Sequence, residues 1–137
     1  MEISEAVEFV RGNHHGVLAV TRADGKPQMS PVTGTVNKDG LVVVSSRETA
    51  YKVRSLRARP YASYCGFADQ FYGKPWVQIE GPVQIVSLPE AMEQLVDYYR
   101  SVSGEHPDWD DYRAAMEREQ RVLIRLDLTR AGPDVEG

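Results

Sequence analysis

Two Asp-Gly pairs, Asp24-Gly25 and Asp39-Gly40, cut the first third of the chain into three short apolar runs, and this punctuation constrains the fold more than any other feature. Asp-Gly suits the left-handed backbone of tight hairpin turns, so the runs on either side of it pair as antiparallel neighbours. Gly16 to Thr21 (GVLAVT), Pro27 to Val36 (PQMSPVTGTV) and Leu41 to Ser46 (LVVVSS) therefore read as a three-stranded meander. Pro31 and Gly34 weaken the middle run and predict an edge or a bulge there, because proline lacks the N–H that a ladder needs. Three further runs have strand character: Tyr61 to Phe67 (YASYCGF), Pro75 to Leu88 (PWVQIEGPVQIVSL) and Arg121 to Thr129 (RVLIRLDLT). In the second of these Val77, Ile79, Val83 and Ile85 alternate with polar residues around a bulge expected at Gly81-Pro82; in the third Val122, Ile124, Leu126 and Leu128 share one face.

Helical spacing fills the intervals. Ser4 reads as the N-cap of a helix carrying Ile3, Ala6, Val7 and Val10 up to Gly12-Asn13, and Thr49 as the cap of one that turns Ala50, Val53 and Leu56 inward until Pro60. Pro89-Glu90 opens a longer helix with Ala91, Leu95, Tyr98 and Val102 on one face. Asp108 or Asp110 starts another, with Trp109, Tyr112, Ala115 and Met116 as its apolar stripe. Six strands with these helices predict an α+β antiparallel barrel. At 137 residues the chain is near the usual size of one domain, so residues 1–137 are expected to form a single unit, with 130–137 a flexible tail.

Composition excludes several functions. No run approaches the roughly 20 apolar residues of a membrane span, and Met1-Glu2-Ile3-Ser4-Glu5 is acidic where a secretory signal is basic, so a cytoplasmic protein with no membrane partner is expected. The one cysteine, Cys65, has no partner for a disulfide or a zinc site. His14, His15 and His106 accompany no hydrolase signature, and the acids Glu105, Asp108, Asp110 and Asp111 lack calcium-loop spacing, so no metal site is predicted. Neither a Rossmann nor a Walker glycine pattern is present.

Charge is the remaining signal. The net charge of −4 argues against nucleic acid as a partner, yet between residues 47 and 59 Arg47, Lys52, Arg54, Arg57 and Arg59 face only Glu48, a local +4 that leaves −8 for the rest. A strand ending in Ser45-Ser46 turns at Arg47 and enters a helix bearing Lys52. Hydroxyls, cations and the free N–H groups of a helix start together suit a phosphate. Arg57 and Arg59, farther from the helix entrance, read equally well as solubilising charges. Phe67, Phe71, Tyr72 and Trp76 surround the polar loop 68–74, where a planar ring system could be walled, while Tyr98, Tyr99, Trp109 and Tyr112 read as core or interface.

At these residues the chain resembles the pyridoxamine 5′-phosphate oxidase-like split-barrel flavoproteins, and within them the deazaflavin (coenzyme F420)-dependent reductases. The resemblance runs from about Val10 to Thr129 and is carried by GVLAVTRADGKPQMSPV (16–32), VVVSSRETAYKVRSLRARP (42–60), VQIEGPVQI (77–85) and YRSVSGEHPDWDDYRAAM (99–116). It implies a homodimer with two cofactor sites at the interface. Gln28 and Ser30 would lie beside the ring system, Ser45, Ser46, Arg47, Thr49, Ala50 and Lys52 around the ribityl chain and phosphate, and Trp76 and Gln78 would come from the other subunit. Close relatives carry a second cation where this chain has Ala50, a place that Arg47 or Arg54 would fill. The implied activity is F420-dependent reduction of a conjugated organic acceptor such as a quinone, enone or tetrapyrrole. The alternatives are an FMN-binding oxidase or reductase, including pyridoxamine 5′-phosphate oxidation, and an F420-binding carrier without turnover.

Overall fold

The meander forms as its turns predict in a computed structural model that describes residues 1–73 and 75–133. Strands β1 (His15–Thr21), β2 (Pro27–Val36) and β3 (Val42–Arg47) are antiparallel neighbours, with Gly25 and Gly40 at φ +85° and +78° in the two turns. Helix α1 (Ile3–Gly12) precedes them and α2 (Tyr51–Ala58) follows. Then come β4 (Tyr61–Phe67), β5 (Trp76–Val86), helices α3 (Met92–Ser103) and α4 (Trp109–Arg118), β6 (Arg121–Leu126) and a short β7 (Arg130–Gly132).

The strands lie in the order β4-β1-β2-β3-β6-β5-β7, and β5 also pairs with β4, which closes six of them into a split barrel with β7 outside the ring. Closure depends on β5 serving two neighbours: residues 76–82 pair with β4 and residues 83–86 with β6. Gly81 sits at that change of partner, where a Cβ would stand 1.7 Å from the Asp127 carbonyl oxygen. The expected bulge at Gly81-Pro82 is thus a corner in continuous register, and glycine is required there by the close approach of another backbone.

Leu18, Val20, Val44, Tyr64, Ile79, Ile124 and Leu126 fill the barrel, and Val53 and Leu56 of α2 plug it. A second cluster lies outside, where Leu95 and Val96 of α3 and Tyr112 and Met116 of α4 cover Val43 and Leu123. The strand period of two explains both clusters: along β6, Val122, Ile124 and Leu126 point into the barrel while Leu123 points at the helices.

Several expected boundaries shift. Glu2 rather than Ser4 precedes α1, and Ala50 rather than Thr49 precedes α2, neither with a side-chain cap. Pro89-Glu90 lies in the turn before α3, which starts at Met92. Asp108 does cap α4, accepting from the Asp111 N–H at 3.1 Å. Residues 130–132, expected in the tail, form β7 against Gln78–Glu80 of β5; the rest of that tail from 134 onward, and Lys74 of the loop 68–74, lie outside the described residues. No helix among the described residues is long and apolar enough to cross a membrane.

Candidate functional site

β2 and β3 pair only from Val36↔Val42 to Gly34↔Val44. Beyond that point β2 continues on β1 alone and β3 on β6 alone, so the barrel wall divides. The division explains why a cavity of about 840 Å³, with a cationic end and an apolar side, can exist in so small a protein. Pro31, Val32 and Thr33 form its β2 wall and Ser45, Ser46 and Arg47 its β3 wall. Thr49, Ala50 and Lys52 at the start of α2 close one end, and Tyr98, Tyr99, Tyr112 and Met116 supply an apolar side from α3 and α4. Arg121, His15, Gly16 and Phe67 complete the lining.

Charge in this cavity is unbalanced. Arg47 and Arg121 both reach the Glu119 carboxylate, at 3.1 and 2.8 Å, and together hold its pKa below the ordinary glutamate range. No carboxylate among the described residues pairs with Lys52, whose pKa is lowered by burial and by the nearby Arg121 guanidinium. Three cations against one carboxylate leave an excess of two positive charges at the uncapped start of α2. Like charges gathered in a half-buried place are costly unless an anion joins them.

The phenols around the cavity are weak acids. Burial pushes Tyr112 up to about 12 and raises Tyr98, on whose oxygen the Ser45 backbone N–H acts in the opposite direction. The Tyr98 hydroxyl donates to the Thr33 carbonyl at 2.7 Å, and that of Tyr112 to the Leu95 carbonyl at 2.7 Å. Tyr64, fully buried in the barrel, has its hydroxyl pressed against Gly16 and Gly34 and without a hydrogen-bond partner among the described residues. At the cavity mouth the Asp69 carboxylate meets His15 Nδ1 at 2.9 Å, and Phe71 stacks edge-on against Phe67 at 5.9 Å.

Of the residues singled out from sequence, Ser45, Ser46, Arg47, Thr49, Ala50 and Lys52 converge on this one cavity. Gln28 and Ser30 lie farther along β2, opposite Val20 and Leu18 on the barrel-facing side; their Oε1 and Oγ atoms are buried and lack a hydrogen-bond partner. Arg54 is exposed on α2 outside the cavity. Trp76 and Gln78 line a separate cavity of about 310 Å³ beside β7, with Glu80 and Arg130. Arg57 makes a two-pronged contact with Glu48, at 2.9 and 2.5 Å, and Arg59 donates to the Thr21 carbonyl at 2.7 Å, so both brace the fold. Tyr98, Tyr99 and Tyr112 were expected in a core or interface; they pack on the outer core and also wall the cavity. Arg121 and Thr33 carried no local signal, since each belongs to the site only through strand pairing across the barrel.

A family model described as pyridoxamine 5′-phosphate oxidase matches residues 3–132. Among solved structures, the conserved hypothetical protein Rv2991 from Mycobacterium tuberculosis is similar at 24% identity and TM-score 0.78 over 100% of this chain and 93% of that one. A protein described as an F420 reductase is similar at 19% identity and TM-score 0.69, covering 91% of this chain and 94% of its own. A heme binding protein from Mycobacterium smegmatis is similar at 21% identity and TM-score 0.66 over 92% of this chain but 52% of the other. These likenesses establish a shared fold, and the differing ligands in their names mean that the fold alone does not choose a cofactor.

Proposed function

The chain belongs to the pyridoxamine 5′-phosphate oxidase family, and from that premise we propose that it is a coenzyme F420-dependent oxidoreductase. The observation that carries this reading is the two-charge excess of Arg47, Lys52 and Arg121 over Glu119 at the uncapped head of α2. A phosphate there would satisfy Lys52 and accept from Ser45, Ser46 and the helix N–H groups. The orphaned Ser30 Oγ and Gln28 Oε1 fit a polar heterocycle continuing along β2. Arg54, exposed and without a carboxylate partner among the described residues, is available to a longer anionic tail, which favours F420 over FMN. Bound in its reduced form, that cofactor supplies a hydride for a conjugated organic acceptor such as a quinone, enone or tetrapyrrole. The protein's share is to hold the phosphate, to wall the rings with Tyr98, Tyr99 and Tyr112, and to limit water.

A homodimer is part of the proposal. The outward face of β2-β1-β4-β5 carries the cross-strand rows Pro31-Val17-Cys65-Gln78 and Met29-Ala19-Ser63-Glu80, where solvated sheets carry alternating charges. Met29 is 64% exposed and Trp76 38%. A second copy on this face would cover them and bring Trp76 and Gln78 toward the partner's cavity.

The cheapest test is the absorbance of the purified protein, followed by titration with F420 and with FMN. Submicromolar binding of F420 by a colourless protein is the expected result. A yellow protein retaining bound flavin would overturn the F420 assignment and leave an FMN enzyme of the same family. F420 binding without oxidation of its reduced form by any quinone, enone or tetrapyrrole would leave a carrier.

A further inference from the structure

The place where the barrel divides has a specific cause. In an antiparallel ladder, directly opposed residues alternate between bonded and non-bonded pairs. Asn37 donates to the Leu41 carbonyl at 2.9 Å, so Asn37–Leu41 is a bonded position, and the register of β2 with β3 makes Thr35–Val43 and then Thr33–Ser45 the next two. The ladder ends one residue short of that last pair, at Gly34↔Val44. The bond that should come next, from the Ser45 N–H to the Thr33 carbonyl, lies past the last paired residues, and the Tyr98 hydroxyl donates to that carbonyl instead, at 2.7 Å. One turn later on α3, the Ser101 and Thr35 hydroxyls meet at 2.7 Å, so the helix lies along the seam with Tyr98 at its fork. The following bonded position would set residue 31 against residue 47, and there Pro31 has no N–H to give.

We propose that Tyr98 is the wedge that parts β2 from β3 and thereby makes the cavity, a positioning residue whose ring separates the strands and whose hydroxyl occupies a ladder bond. A backbone donor and acceptor facing each other across a gap close on one another unless something stands between them, since each buried and unpaired group is costly. Tyr98 stands between them at the cost of one hydroxyl, and Pro31 prevents the strands from closing farther along. The width of the cavity between Thr33 and Ser45 is then set by the thickness of a phenol.

The test compares Tyr98→Ala and Tyr98→Phe in the full chain. Crystal structures of the ligand-free variants should show the Thr33 and Ser45 Cα atoms drawn to about 5.5 Å, the spacing of a bonded antiparallel pair, in Tyr98→Ala, and still parted in Tyr98→Phe. Titrated with F420 and with FMN, Tyr98→Ala should lose at least tenfold more affinity than Tyr98→Phe. Strands that stay parted in Tyr98→Ala would overturn the wedge, as would equal losses in the two variants, which would make the hydroxyl a direct ligand contact. Should Tyr98→Ala fail to fold, Tyr98→Leu reads the same separation. The binding arm rests on the cofactor reading; if the wild-type protein takes up neither F420 nor FMN, that reading falls and the strand separation still decides the wedge.

Discussion

Replacing Lys52 with methionine keeps the aliphatic stem in the cavity and removes only the charge. In the ligand-free protein that charge is uncompensated: burial and the Arg121 guanidinium both lower its pKa, and no carboxylate among the described residues pairs with it. Lys52→Met should therefore leave the melting temperature unchanged or slightly higher. With a phosphate bound the balance reverses, because a charge-assisted hydrogen bond is lost while Arg121 remains held by Glu119 at 2.8 Å. Such bonds contribute about 1.5–3 kcal/mol, a weakening of roughly 10- to 150-fold in Kd. Lys52 is partly solvated, so added salt should shrink the difference, and measurements at low and high ionic strength test its electrostatic origin. The assay is fluorescence or absorbance titration of F420 and FMN against wild type and variant, with a melt of each ligand-free protein. An unchanged Kd would remove Lys52 from the site. A lower melting temperature together with weaker binding would show that the lysine supports the fold and that its charge is not in excess in the ligand-free protein.

Gly81→Ala should destabilise the protein by about 3 kcal/mol or more, since its Cβ would fall 1.7 Å from a backbone carbonyl that cannot swing away, whereas Gly12→Ala, with open space around the new methyl, should be neutral or gain a few tenths of a kcal/mol; thermal melts of the pair check both. Stability should fall as pH rises above about 10, where unfolded tyrosines ionise. Tyr64, Tyr98 and Tyr112 are all raised by burial, Tyr112 to about 12, so the folded state keeps protons that the unfolded state releases. The Cys65 thiol, also raised by burial, acts with the tyrosines; Lys52, lowered in the fold, works in the opposite direction over the alkaline range but is one group against four, and melts between pH 8 and 11 should show a net decline that Tyr64→Phe makes shallower. Sedimentation equilibrium should give a dimer of the 15.4 kDa chain that Met29→Lys, placed mid-sheet on the outward face, shifts toward monomer; a wild-type monomer at micromolar concentration would refute the interface.

The strands were legible because their signals are local. Asp24-Gly25 and Asp39-Gly40 fix hairpins by φ alone, and β2 and β4 begin and end at the residues the sequence suggests. Helix starts were less legible, since Ser4 and Thr49 are good caps by residue type yet neither caps its helix. At α2 the displacement has meaning: a capped helix start would have filled the N–H groups that a phosphate needs. The short β7 was illegible because three residues, Arg130–Gly132, carry no periodicity and pair only where β5 already presents an edge.

The cavity itself was half legible for the same reason. Ser45, Ser46, Arg47 and Lys52 lie within eight residues, so a local charge anomaly found them, whereas Arg121 and Thr33 join them only through the pairing of β3 with β6 and its parting from β2. Tyr98 shows what pattern reading leaves out. Its helical spacing with Leu95 and Val102 marks it as core, and its ring is indeed packed on the outer cluster, but the same side chain reaches the fork, where its hydroxyl holds the Thr33 carbonyl. Periodicity reports which way a side chain points; it is silent on which backbone bond the terminal atom replaces. Pro31 is the counterpart that sequence did expose. Read as an edge or a bulge, it lies where β2 pairs with β1 alone and is an edge there, and on the wedge proposal it stops the two walls from meeting again beyond Tyr98. The position of the phosphate-binding charges and the position of the opening are therefore set by the same few residues of β2 and β3, and a change that closed the fork would disable Lys52 without touching it.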